Sequence, residues 1–140
     1  MPRRAKAPVD SRKSMIRAKE VLERRTEVLF AYLFGSLARD ASYPTSDIDI
    51  AVYLVDLPDL TKEKLELLGD LMDGVGTDEI DLVVLNTAPL PLKARVLRNK
   101  EILIDRDPFV RHSFESLVLR EYFDFSIKEE TILKRRFSLG

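Results

Sequence analysis

Apolar residues follow two alternating patterns along this chain. In some segments they form short, nearly continuous runs, which are typical of strands buried in a sheet, and in others they recur every three or four positions, which is typical of helices with one buried face. The predicted strands are residues 28–34, 47–55, 79–85 and 101–105. The predicted helices are residues 11–27, 58–73, 91–99 and 108–136, with a short helical turn or loop at 37–43.

This alternation of helices and strands predicts an α/β fold, in which a small mixed β-sheet is flanked by helices. A chain of 140 residues has the usual size of one domain, so residues 1–140 are expected to form a single domain. Residues 1–10 contain Pro2 and Pro8 and no apolar pattern, which predicts a mobile tail. Residues 108–136 are predicted to form a C-terminal helical segment.

The composition narrows the classes of function. The 23 Lys and Arg residues are balanced by 24 Asp and Glu residues, so nucleic acid is not the expected partner. The absence of cysteine excludes disulfides, a thiolate nucleophile and Cys-ligated metals. No apolar run reaches the length of a membrane span, and the basic start is not followed by the apolar run that a signal peptide requires. The expected location is therefore cytoplasmic, without membrane contact.

Two aspartates stand at the start of the second predicted strand. Asp47 and Asp49 are two positions apart, so on a strand both carboxylates project from one face, with Cα atoms roughly 6.5 Å apart. Asp81 lies near the start of the third predicted strand, and if the two strands are neighbours the three carboxylates converge. Such hard oxygen ligands suit Mg²⁺, whose shell is often completed by substrate phosphates. The pattern therefore predicts these three aspartates as metal ligands, although an isolated Asp-x-Asp pair is more often solvated.

A candidate phosphate site lies just upstream of these acids. The first predicted strand, residues 28–34, runs directly into Gly35 and Ser36. Glycine allows a close approach of the backbone to a ligand, and the free N–H groups and positive helix end after such a turn favour an anion. Arg39, one turn further on, is a candidate for the same anion, with a solvated surface arginine as the equal alternative. These residues would hold a nucleoside triphosphate beside the metal.

The combination of these motifs resembles a known family. The Gly-Ser pair at 35–36, then ten residues, then Asp-Ile-Asp at 47–49 with Asp81 on a later strand, is similar to the signature of the DNA polymerase beta-like nucleotidyltransferases. The resemblance covers about residues 28–105 and is strongest to the minimal nucleotidyltransferases (MNT) encoded beside HEPN proteins as antitoxins. The family often has glycine where this chain has Asp40, which predicts a local difference in the loop.

The resemblance implies a role for each matching residue. Asp47 and Asp49 would hold two Mg²⁺ ions. Asp81 would bind one of these ions and accept the proton of the attacking hydroxyl. Gly35 and Ser36 would bind the triphosphate of ATP, the nucleotide donor.

The resemblance to the antitoxins further implies transfer of AMP from ATP to a hydroxyl, expected to be that of a tyrosine, on a cognate HEPN toxin. Two alternatives stay open. One is nucleotidyl transfer to a small molecule such as an aminoglycoside, although such enzymes generally carry an added substrate domain. The other is a non-catalytic antitoxin that masks its partner.

Apolar residues in the C-terminal segment exceed one helical stripe. Leu117, Val118 and Leu119 face three directions on a helix, and only one of these faces can pack on the sheet. The others require a second surface, for which a protein partner is expected; the alternatives are more of the same protein and a second copy of the chain. The remaining apolar residues of this segment are Phe114, Tyr122, Phe123, Phe125 and Ile127.

Overall fold

The computed structural model describes residues 11–35 and 48–137, which form four helices and four strands. The helices are α1 (Ser11–Glu23), α2 (Leu60–Val75), α3 (Leu90–Arg98) and α4 (Pro108–Phe137). The strands are β1 (Val28–Phe34), β2 (Ile48–Leu54), β3 (Ile80–Val84) and β4 (Lys100–Asp105). The predicted tail at 1–10 and the turn or loop at 37–43 lie outside the described residues.

The strands form one mixed sheet in the order β3-β2-β1-β4. β1 is antiparallel to both of its neighbours, β2 and β4, whereas β2 and β3 run parallel. β1 is a central strand buried on both faces, as its uniformly apolar sequence predicts. The α/β prediction of a small mixed sheet flanked by helices is therefore confirmed.

Helices cover both faces of the sheet and produce two apolar cores. On one face α1 and α2 pack through Leu22 and Leu71, and on the other α3 and α4 pack through Val96 and Val118. Alternation along β2 directs Ile48 and Ile50 to the α1/α2 core and Ala51 to the opposite core. The odd-numbered positions of β2 therefore face the α3/α4 side.

The helix ends are set by specific hydrogen bonds. Asp59 caps the start of α2 by accepting a hydrogen bond from the N–H of Lys62 at 3.1 Å, and Gly76, with φ of 86°, ends the helix by donating to the carbonyl of Met72. α1 ends at Glu23, before the predicted boundary. Its last turn is held from β4, because the Arg106 guanidinium donates to the carbonyls of Leu22, Glu23, Arg25 and Val28.

A polar cluster joins β1 to the first half of α4. Tyr32 is fully buried and its hydroxyl donates to Oε2 of Glu115 at 3.0 Å. Arg111 donates to the same Glu115 carboxylate at 2.9 Å and to Oδ2 of Asp105 at 3.0 Å. Burial, together with the negative charge of Glu115, raises the pKa of Tyr32 far above its usual value.

Only the first half of α4 packs on the sheet. Val118 is buried and Phe114 and Tyr122 are partly buried, whereas every described side chain from residue 123 to 136 is exposed. Among the described residues, no helix has both the length and the apolar character needed to cross a membrane. Because every described side chain from residue 123 to 136 is exposed, the apolar side chains among them face the surroundings.

Candidate active site

Asp49 and Asp81 lie side by side on adjacent strands. In the parallel pairing of β2 with β3 they are direct register partners, on strands that are typically about 4.8 Å apart. Their neighbours Ile48, Ile50 and Leu82 are buried in the α1/α2 core, which turns both carboxylates to the opposite face. Asp49 is partly buried and Asp81 is exposed. Two carboxylates therefore share one face at the same end of the sheet.

Gly35 adjoins this pair from the end of β1. Phe34 is the register partner of Asp49, and the residue after it, Gly35, has φ of 74°, a left-handed conformation that favours glycine. A Cβ atom at position 35 would overlap Oδ2 of Asp49 and lie 3.3 Å from its Cγ. The backbone of the turn can approach the Asp49 carboxylate only because residue 35 has no side chain.

The structure thus brings together three of the six residues that the sequence singles out: Gly35, Asp49 and Asp81. Ser36, Arg39 and Asp47 lie outside the described residues, as does Asp40. Within residues 11–35 and 48–137, no group of three or more His, Cys, Asp or Glu side chains is arranged to hold a metal ion. The roles of all six residues stay predictions.

A cleft of about 490 Å³ opens beside Asp81 along the outer edge of β3. We call it the β3 cleft, and it lies between the start of α2 and the start of α3. It is lined by Asp81 and, among others, by Leu60, Lys64, Thr87, Ala88 and Leu92.

Apart from Asp81, no residue of this cleft carries a sequence pattern that marks it as functional. The spacing of Thr61 and Lys64, three positions apart on a helix, does predict that they share a face. No local pattern shows that this face borders β3, because the contact joins residues distant in sequence. Only the packing of α2 against β3 brings Lys64 into the same cleft as Asp81.

The described fold is similar to that of single chains in solved toxin–antitoxin structures. One chain of a toxin–antitoxin crystallised with AMP-PNP has a TM-score of 0.69 and 24% identity, covering 91% of this chain and 98% of that chain. One chain of a complex of tri-AMPylated Shewanella oneidensis HEPN toxin with MNT antitoxin has a TM-score of 0.67 and 21% identity, and the match covers 89% of this chain and 97% of that chain. One chain of a MntA-HpeT toxin–antitoxin mutant has a TM-score of 0.67 and 26% identity, and the match covers 83% of this chain and 91% of that chain.

Sequence comparison identifies the family directly. Among curated proteins none matches the chain significantly. The family model described as polymerase beta, nucleotidyltransferase matches residues 17–109, which include the whole sheet with Gly35, Asp49 and Asp81. The match covers more than half of the chain and agrees with the mixed sheet and the paired aspartates. The chain therefore belongs to the polymerase beta nucleotidyltransferase family.

Proposed function

We propose that this protein transfers AMP from ATP to a tyrosine hydroxyl of a cognate HEPN-domain protein, in a Mg²⁺-dependent reaction, and that it acts as the antitoxin of that partner. The observation that carries the proposal is the register pair of Asp49 and Asp81 beside the left-handed turn at Gly35. Membership in the nucleotidyltransferase family supports the reaction type. The structural neighbours, which include an AMP-PNP complex and a tri-AMPylated HEPN toxin, support the donor and the partner.

The carboxylates at this end of the sheet fit Mg²⁺. Asp49 and Asp81 offer carboxylate oxygens on one face, which are the ligands that this ion prefers. Asp47, two positions before Asp49, would be the third ligand. Mg²⁺ held by these carboxylates would neutralise negative charge on the triphosphate and help to orient it, and the expected number of ions is two.

Residues of this chain would bind the donor and accept the proton. Backbone N–H groups at Gly35 and Ser36, with Arg39, would hold the β- and γ-phosphates of ATP. The acceptor oxygen forms a bond to the α-phosphorus, the bond from that phosphorus to the bridging oxygen breaks, and pyrophosphate leaves with the electron pair. The proton of the acceptor hydroxyl passes to the Asp81 carboxylate, which is exposed and therefore accessible to an incoming group.

A second candidate function is a non-catalytic antitoxin that masks its partner. The exposed apolar residues in the second half of α4 favour it, because a surface of this kind is suited to binding another protein. The two functions differ in their dependence on Asp49. A masking antitoxin would neutralise its partner with or without this carboxylate.

The deciding experiment incubates the chain with ATP, Mg²⁺ and the purified product of the adjacent gene, and measures the mass of that partner. The proposal expects the mass to rise by whole AMP units with the wild type and to stay unchanged with Asp49→Asn. Asp73→Asn, the same change at an exposed position of α2, is the matched control. An unmodified partner whose activity is nevertheless blocked equally by wild type and Asp49→Asn would establish masking instead.

A further inference from the structure

The outer edge of β3 presents backbone groups that no other described strand pairs. β3 is an edge strand of the described sheet, with β2 on its inner side. The N–H of Leu85 donates to the carbonyl of Val52 at 2.8 Å, so the odd-numbered residues of this segment direct their backbone groups toward β2. The even-numbered residues Leu82 and Val84 therefore direct theirs away from β2.

These outward backbone groups lie in the β3 cleft. Leu82 and Val84 line the cleft, and both residues are buried. The carbonyl of Val84 accepts a hydrogen bond from the N–H of Thr87 at 3.4 Å. Within residues 11–35 and 48–137, the N–H and carbonyl of Leu82 and the N–H of Val84 take part in no other hydrogen bond. Because a buried backbone group without a partner costs free energy, this edge favours a ligand that supplies backbone partners.

Helices border this edge on both sides. α2 packs on one face of the sheet and α3 on the other, and both reach the β3 cleft, which has a volume of about 490 Å³. One wall is formed by Leu60, Thr61 and Lys64 of α2, and the opposite wall by Thr87, Ala88 and Leu92 at the start of α3. An extended segment fits between two such walls, whereas a second copy of this chain would bring its own helices against α2 and α3.

We propose that the β3 cleft binds an extended segment of the partner protein, which adds to the edge of β3 as a further strand. The inference rests on the proposed function, from which it takes the partner, and it adds a surface that the partner uses. In strand addition, the backbone of the incoming segment pairs with the open groups of the edge, and pockets for alternate side chains give specificity. The open groups of Leu82 and Val84 and the two helical walls supply both requirements.

The two walls specify the side chains of this segment. Successive side chains of an added strand point alternately toward the α2 wall and the α3 wall. Ala88 and Leu92 present an apolar surface on the α3 side, which favours an apolar side chain. Lys64, on the α2 side, is half-buried, and its ammonium group is in none of the described hydrogen bonds or ion pairs. The segment therefore carries an acidic side chain toward Lys64, next to apolar side chains toward α3.

Amide hydrogen exchange, measured for each residue by NMR, tests the added strand. In the free chain, the outward N–H groups of Leu82 and Val84 should exchange faster than the N–H of Val83, which faces β2. With a saturating amount of the purified product of the adjacent gene, we expect exchange at Leu82 and Val84 to slow by about tenfold or more relative to Val83.

Two lysines on one helical turn test the acidic side chain. Lys64 lines the cleft, whereas Lys62 is exposed and does not. Lys64→Glu should raise the Kd for the partner, measured by calorimetry, by about tenfold or more, and Lys62→Glu should stay within about twofold of wild type. Lys64→Arg, which keeps the charge, should bind nearly as tightly as wild type. The affinity for ATP with Mg²⁺ should be unchanged in all three variants.

The outcomes separate the two proposals. If wild type neither binds nor modifies the partner, the proposed function is wrong and the inference falls with it. If wild type adds AMP to the partner but exchange at Leu82 and Val84 does not change on binding, no strand is added at β3 and only the inference is wrong. If exchange at these residues slows as the concentration of this chain alone is raised, a second copy occupies the cleft, which also overturns the inference.

Discussion

Gly35 has the most constrained backbone position beside the paired acids. Gly35→Ala would place a Cβ against Oδ2 of Asp49 and force an L side chain to keep φ near 74°. The left-handed conformation alone costs roughly 1–2 kcal/mol for a residue with a Cβ. We expect a loss of stability of about that size in urea denaturation, and a loss of AMP transfer because the Asp49 carboxylate is displaced.

Gly69→Ala is the matched control. Gly69 lies inside α2, where an added Cβ would meet no atom within 4 Å, so alanine should stabilise the protein by about 0.5–1 kcal/mol. If Gly35→Ala behaved like Gly69→Ala in both stability and transfer, the close approach of the turn to Asp49 would not matter.

The Asp49–Asp81 pair concentrates like charge in the absence of metal. Two carboxylates on register positions repel each other, a cost that the unfolded chain avoids. Asp49→Asn should therefore melt a few degrees higher than wild type in chelator. Mg²⁺ with ATP should stabilise wild type by about 2–3 kcal/mol at a concentration one hundred times Kd, and the variant much less.

Thermal melting of both proteins with and without Mg²⁺ and ATP tests this prediction. Asp124→Asn, on the exposed half of α4, should behave as wild type. A wild type that gives no response to metal and ATP, together with an Asp49→Asn variant that is no more stable in chelator, would contradict a shared metal site.

Tyr32 makes stability dependent on pH at the alkaline end. Its folded-state pKa is raised by burial and by Glu115, so the folded protein keeps a proton that the unfolded chain releases near pH 10. The contribution of this raised pKa to the free energy of unfolding is complete below pH 10 and is lost as the pH rises further, by up to about 1.4 kcal/mol per pH unit. Tyr32→Phe should lose less stability between pH 9 and 11 than wild type.

Urea denaturation at a series of pH values measures this difference. Tyr122→Phe removes a hydroxyl that makes none of the described hydrogen bonds and serves as the control. Parallel curves for wild type and Tyr32→Phe above pH 10 would show that the Tyr32 hydroxyl ionises as freely in the folded state as in the unfolded chain.

At the scale of elements, α4 divides into a half that packs on the sheet and a half that does not. Phe123 and Phe125 are 64% and 40% exposed. Replacing both by serine removes little buried area, so we expect the melting temperature of the isolated chain and its ATP affinity to change little. Partner binding, measured by calorimetry, should weaken by about tenfold or more, because exposed aromatic side chains commonly dominate protein interfaces.

Leu65→Ser is the control for this experiment. Leu65 is also 64% exposed but lies on α2, away from α4. If the double α4 variant unfolds the isolated chain, these phenylalanines contribute to the core. If it binds the partner as tightly as Leu65→Ser does, the interface lies elsewhere.

At the scale of the whole molecule, stability is expected to fall from the centre of the sheet outward. β1 is paired on both sides and buried on both faces, whereas residues 123–136 of α4 have only exposed side chains. Amide hydrogen exchange should therefore be slowest in β1, with protection close to the global free energy of unfolding, and much faster in the second half of α4. Equal protection in the two segments would contradict this order, and loss of the difference on adding the partner would place the interface on α4.

The sequence predicted the elements well where local patterns are strong. The uniform apolar run of β1 and the helical period of α2 reproduce the structure, with the ends shifted by one or two residues. The predicted end of α1 was too late, because the last turn of α1 is held by Arg106, the residue that follows β4. A boundary set by a residue so distant in the chain has no local signal.

For the candidate site, the sequence alone determined which residues are candidates for the chemistry, because Gly35, Asp49 and Asp81 stand at strand ends in a recognisable spacing. Only the tertiary structure decided that β2 and β3 are parallel neighbours, so that the two aspartates are register partners, and that Lys64 and Asp81 line one cleft. The physical reason is that side-chain type and local period are properties of short segments, whereas strand order and helix packing depend on contacts between segments far apart in the chain.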